Sequence, residues 1–104
     1  MAEARIAPHI RRTPLFHATA LTAPPTEAEL WLKLECLQAT GSFKVRGATN
    51  KLLLMPPEAL ARGIVTASGG NHGLATARAA TQAGVSAHIF VPQNASPAKI
   101  ARLR

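Results

Sequence analysis

Two short stretches hold the residues most able to do chemistry. The first is Ser68-Gly69-Gly70-Asn71-His72-Gly73. Its glycines permit positive φ and let a ligand approach the main chain closely. If a helix follows, the free N–H groups of its first turn form a seat for an anion, a carboxylate or a phosphate. A plain strand-to-helix turn has the same glycine content, so both readings stand on these residues alone. The second stretch is Gly41-Ser42-Phe43-Lys44. A lysine is ordinarily a solvated surface charge. Burial of Lys44 beside Phe43 would disfavour its ammonium form, and a neutral amine can condense with a carbonyl.

Neither stretch matches G-x-x-x-x-G-K-[ST] or G-x-G-x-x-G, so nucleoside triphosphates and dinucleotides lose their usual support. His9, His17, His72 and His88 lack metal-site spacing, and no C-x-x-C pair occurs. No metal is expected. His72 is set apart from the other three only by the backbone of its turn.

The elements that must position these residues are legible from periodicity. The first ten residues are weakly helical, and Pro14 steers "HIRRTPLF" into extended backbone. "LWLKLE" alternates, with Leu30, Leu32 and Leu34 on one face and Trp31, Lys33 and Glu35 on the other, as in a strand. From Phe43 to Met55, the spacing of Phe43, Gly47, Thr49 to Asn50 and Leu53 to Leu54 predicts a helix that Pro56-Pro57 ends. "PEALARG" reads as a short helix closed by Gly63. "IVTA" and "SAHIFVP" read as short buried strands flanking an alanine-rich helix that Gly84 stops. That order predicts parallel strands joined by right-handed crossovers in an α/β layer, with both chemical stretches near C-terminal strand ends.

Composition narrows the function classes. At 104 residues the chain is one small domain or a piece of a larger one, and 47% hydrophobic content argues against disorder. The lone Cys36, expected to be a small buried residue, points to a reducing compartment, read as the cytoplasm. There is no run of 18 apolar residues and no signal-like N-terminus, so no membrane association is expected. The net charge of +7 invites a basic nucleic-acid-binding or interaction module. Against it, the cations are spread from Arg5 to Arg104 with no run longer than Arg11-Arg12, and one Trp and no Tyr leave little for base stacking. All five acids, Glu3, Glu27, Glu29, Glu35 and Glu58, precede residue 59. A solvated face or a missing acidic segment would explain that asymmetry. The chain finishes in "SPAKIARLR", where Ser96 and Pro97 open a helix with no stop signal after it.

"LECLQATGSFKVRGATNKL" and "TASGGNHGLATA", with "RTPL" before them and "IFVPQNASPAKI" after, closely resemble the pyridoxal-phosphate enzymes of the threonine/serine dehydratase and serine racemase group. That group is fold type II, tryptophan synthase beta-like. The resemblance implies parallel-sheet, Rossmann-like α/β layers, incomplete in this chain. Residues 1–63 would begin a large domain and residues 64–104 a smaller mobile one. Lys44 looks like the lysine that binds the cofactor, with Phe43 its packing neighbour, and Asn71 matches the residue that bonds the ring hydroxyl. Ser68, with the main chain of Gly69, Gly70, Asn71 and His72, matches the cradle for the substrate carboxylate.

The implied reaction is β-elimination from L-threonine or L-serine to a 2-oxo acid and ammonia, with the amine of Lys44 taking the α-proton. The implied partners are a small amino acid and further copies of the parent protein. Racemisation or β-replacement on the same scaffold is the alternative. Racemising relatives carry a second serine where this chain has Gly69, which favours dehydration. The cysteine-synthase branch reads S-V-K-D-R where this chain has Ser42-Phe43-Lys44-Val45-Arg46. Cys36 stands where many relatives have Asn. The family's phosphate-binding glycine loop and its partner for the pyridine nitrogen lie downstream of anything in this sequence, so the chain alone is expected to be an incomplete enzyme with little or no activity.

Overall fold

Prolines and glycines divide the chain into short elements. The computed structural model describes residues 1–103 apart from the Lys99 side chain; Arg104, the last residue of the expected second unit, lies outside the described residues. Helix α1 (Ala2–Ile6) runs into a 3-10 turn, followed by β1 (Leu15–His17), β2 (Trp31–Lys33) and a second 3-10 turn (Glu35–Leu37). Then come α2 (Lys44–Leu53), α3 (Pro57–Leu60), β3 (Ile64–Ala67), α4 (Asn71–Ala83), β4 (Ala87–Phe90) and α5 (Pro97–Ala101). Gly63 and Gly84 follow α3 and α4 at φ of 81° and 66°, the left-handed conformation in which a helix stops most easily on glycine.

Strands β3 and β4 pair in parallel across α4, with Ile64 opposite Ala87 and Ala67 opposite Phe90. The first strand does not join them. β2 pairs antiparallel with β1, Phe16 opposite Leu32, as a separate two-stranded ribbon, and the His17 and Trp31 rings stack at 4.3 Å. Alternation identifies a strand without naming its partner, and here Pro14 extends a nearer one.

The expectation that β3 and β4 are buried is also corrected. Ile64 and Ala87 pack toward the core, whereas Val65 and Phe90 are 68% and 66% exposed. Only one face of the pair is covered. In β3 the polar Thr66 lies on the half-buried face and the apolar Val65 on the exposed one, so polarity does not mark the one-sidedness.

The core lies between α2 and α4. Val45, Thr49 and Leu52 form the buried stripe of α2 at helical spacing. Phe43, Leu53 and Leu54, which the sequence placed on the apolar face, are exposed. Leu52 meets Ala79 and Ala80 of α4, with Ala48, Leu60, Ile64 and Ala87 packed around them. The expected boundary at residue 63 therefore falls between elements that share one cluster. No helix among the described residues is long and apolar enough to cross a membrane.

Gln38 ties the segment ahead of α2 to the N-terminal region. It is 2% exposed, and its Oε1 accepts the N–H groups of Arg11 at 2.8 Å and Ala39 at 2.9 Å while its Nε2 donates to the Arg11 carbonyl at 2.8 Å. Gln38→Ala removes all three bonds and leaves the Arg11 backbone groups without their partner. The expected loss is about 2 kcal/mol of stability, measurable by denaturant unfolding. Gln38→Glu keeps the acceptor but sets a second buried oxygen against the Arg11 carbonyl, so it should destabilise at least as much.

Candidate functional site

The turn before α2 is built as its residues dictate. Gly41 adopts φ of 77°, and its N–H donates to the Gln38 carbonyl at 2.8 Å. Ser42 is buried and its Oγ accepts the Lys44 N–H at 3.4 Å. Lys44 is therefore the first residue of α2, as the expected role requires. Its environment is not the expected one. Lys44 is exposed, Phe43 is 59% exposed, and the Lys44 Nζ stands 5.1 Å from the Phe43 ring centroid, a cation–π distance. Phe43 precedes the helix and lies off the buried stripe, so it does not desolvate the amine.

The second stretch follows β3. The Ser68 N–H donates to the Phe90 carbonyl at 2.8 Å, extending the ladder one residue beyond Ala67. Ser68 Oγ then accepts the Gly70 N–H at 3.3 Å. Gly70 is the N-cap of α4 and no side chain caps this end, which leaves the first-turn N–H groups open to an anion.

The glycines matter for a reason other than positive φ, which none of Gly69, Gly70 and Gly73 adopts. A Cβ on Gly73 would sit 2.2 Å from the Ser68 carbonyl oxygen, and one on Gly69 would sit 3.2 Å from Pro92 Cδ. Close approach, not a left-handed backbone, selects glycine at residue 73; at residue 69 the contact is merely tight.

Helices α2 and α4 flank a cleft of about 520 Å³ lined by Lys44, Gly47, Lys51, Thr66, His72 and Thr76, among others. Lys44 and His72 are thus brought to one cavity from sequence positions 28 apart. Phe43, Ser68, Gly69, Gly70 and Asn71 do not line it. The His72 ring, expected to act only through its backbone, hydrogen-bonds Thr66 Oγ1 at 3.2 Å, and Thr76 Oγ1 donates to the His72 carbonyl at 2.9 Å. Thr66 was not singled out from the sequence. Its signal was its place on the same strand face as Ile64, two residues ahead of the loop. Cys36, expected to be buried, is exposed. Among the described residues no group of His, Cys, Asp or Glu could hold a metal ion.

A family model described as pyridoxal-phosphate dependent enzyme matches residues 6–104. A serine racemase of Oryza sativa subsp. indica is 40% identical over 99 residues, 95% of this chain and 29% of that protein. The catabolic L-threonine dehydratase TdcB of Staphylococcus aureus strain N315 is 46% identical over 98 residues, 94% of this chain and 28% of that protein. The structure of maize serine racemase superposes with a TM-score of 0.88 at 42% identity, covering 98% of this chain and 31% of that one. The chain thus spans somewhat under a third of the length of these relatives.

Proposed function

Because the chain belongs to the pyridoxal-phosphate dependent enzymes, with the α/β architecture of their fold type II, we propose that it supplies the cofactor lysine and the substrate-carboxylate turn of a threonine/serine dehydratase. The observation that carries this reading is that Lys44 and His72, from the two chemical stretches, open onto one cleft of about 520 Å³, within the usual range for small-molecule sites.

The residues present fit the cofactor. A primary amine at a helix start, exposed to an open cavity, is free to meet an aldehyde. The uncapped α4 N-terminus is free to meet an anion. When bound, the cofactor supplies an electron sink for charge released at the substrate α-carbon. This chain's residues do the rest. Lys44 Nζ would hold the cofactor and, once free of it, would take the α-proton. Phe43 would pack beside it, and Asn71 would hydrogen-bond the ring hydroxyl. Ser68 Oγ and the N–H groups of Gly69, Gly70, Asn71 and His72 orient the substrate carboxylate. Thr66 fixes the His72 ring at the start of α4, which holds that end of the helix against β3.

Gly69 has no side chain with which to deliver a proton to the opposite face, so elimination rather than racemisation is assigned. Serine racemisation is the second reading, favoured by the 40% identity to the rice enzyme. We assign residues 1–63 to the start of a large domain and residues 64–104 to the start of a smaller one. The parent is assigned to a reducing cytoplasm, as a homo-oligomer acting on amino acids.

The test is reconstitution of the intact protein with pyridoxal phosphate, followed by its visible absorption and by product analysis with L-threonine and L-serine. The expected result is a cofactor band and release of 2-oxo acid without accumulation of D-amino acid. D-serine without 2-oxo acid would establish the racemase reading, and absence of the band would overturn both.

A further inference from the structure

Gly47 in α2 and Gly73 in α4 both lie inside helices, where glycine is the least favourable residue after proline. The fold accounts for Gly73, whose added Cβ would strike the Ser68 carbonyl oxygen at 2.2 Å. It does not account for Gly47. A Cβ built there meets nothing within 4 Å apart from the adjoining backbone of its own helix, and Gly47 is exposed. Alanine would fit the folded chain and favour the helix.

The place of Gly47 supplies the missing reason. Lys44, Gly47, Ala48 and Lys51 all line the cleft of about 520 Å³, at the i, i+3, i+4, i+7 spacing of one helix face. Side chains on a helix lean toward its N-terminus, so a side chain at position 47 would lean over the turn from which Lys44 emerges. It would occupy the space that any group attached to the Lys44 amine must enter.

We propose that Gly47 makes room for the cofactor: the space beside its bare Cα is taken by the ring that Lys44 holds, and a side chain at position 47 would exclude that ring without disturbing the fold. This rests on the reading of Lys44 as the cofactor lysine given above. The cleft suits such an occupant. Lys44, Lys51 and His72 line it with no Asp or Glu among the lining residues, so its field favours a ligand that carries a phosphate.

Stability and binding should therefore move in opposite directions when Gly47 is replaced. The test uses the intact protein freed of cofactor, with Gly47→Ala and Gly47→Leu, both to strong helix formers. The melting temperature of each apoprotein is measured first. Pyridoxal phosphate is then titrated in, and its Kd is read from the rise of the cofactor band. Gly47→Ala is expected to raise the apoprotein melting temperature by roughly 2 °C, and Gly47→Leu to leave it no lower than that of the parent. The Kd is expected to rise about 10-fold with alanine and about 100-fold with leucine, the cost of crowding a packed contact.

An unchanged Kd in the leucine variant overturns the inference. So does a lowered apoprotein melting temperature in either variant, since another part of the protein would then fill the space. In both cases a parent band that Lys44→Ala abolishes leaves the proposed function standing. A parent protein that takes up no cofactor overturns the proposed function, and the inference with it.

Discussion

Lys44→Ala in the intact protein is expected to abolish the visible band that the cofactor gives on binding and to lower turnover by at least about 10²- to 10⁴-fold, the contribution of a positioned acid–base group. The direction follows from where the residue sits. As the first residue of α2 its side chain emerges where the helix meets the cleft, and no other lysine begins a helix there; Lys51, the second lysine lining the cavity, lies at the far end of α2. Lys51→Ala is therefore the control, and it should retain the band. Lys44→Arg separates charge from chemistry, since a guanidinium keeps the positive charge but remains protonated and is a poor nucleophile. It should behave like Lys44→Ala. A band that survives in both Lys44 variants would assign the cofactor to another amine and remove the basis of the proposed function.

The type of each element was legible where a local rule decides it. Pro56-Pro57 ends α2, Gly63 and Gly84 end α3 and α4, and Ser96-Pro97 opens α5, each through a backbone constraint of one or two residues. The turn before Lys44 was equally legible, since only glycine takes φ of 77° at Gly41 without strain. What failed to show depends on contacts between distant residues. The partner of β2 is β1, chosen by long-range packing such as the stacking of His17 on Trp31. The buried face of α2 is set by Ala79 and Ala80 across the interface, which no periodicity within residues 44 to 53 contains. The bond from His72 to Thr66 joins residues on different elements. The same limit explains why Lys44 proved exposed: a neighbour in sequence, Phe43, does not become a cover in space.

Gly73→Ala is expected to destabilise the protein by about 3 kcal/mol, although glycine to alanine within a helix ordinarily stabilises by roughly 1 kcal/mol. The added Cβ would lie 2.2 Å from the Ser68 carbonyl oxygen, 3.3 Å from its carbon and 3.4 Å from Ile89 Cγ2. The obstructing atom belongs to the main chain, so no side-chain rotation relieves it. Either α4 moves off β3 or the Ser68 peptide rotates, and both displace Ser68 Oγ from the Gly70 N–H that it now accepts. The carboxylate turn and the fold are therefore lost together, visible as a lowered melting temperature and a raised KM. Gly70→Ala is the matched control. Nothing lies within 4 Å of its added Cβ, its φ of −121° suits any residue, and an N-cap alanine costs only about 1 kcal/mol relative to glycine. Should Gly73→Ala melt no lower than Gly70→Ala, the Ser68 carbonyl is free to move, and the close approach that we assign to this glycine does not hold the site in place.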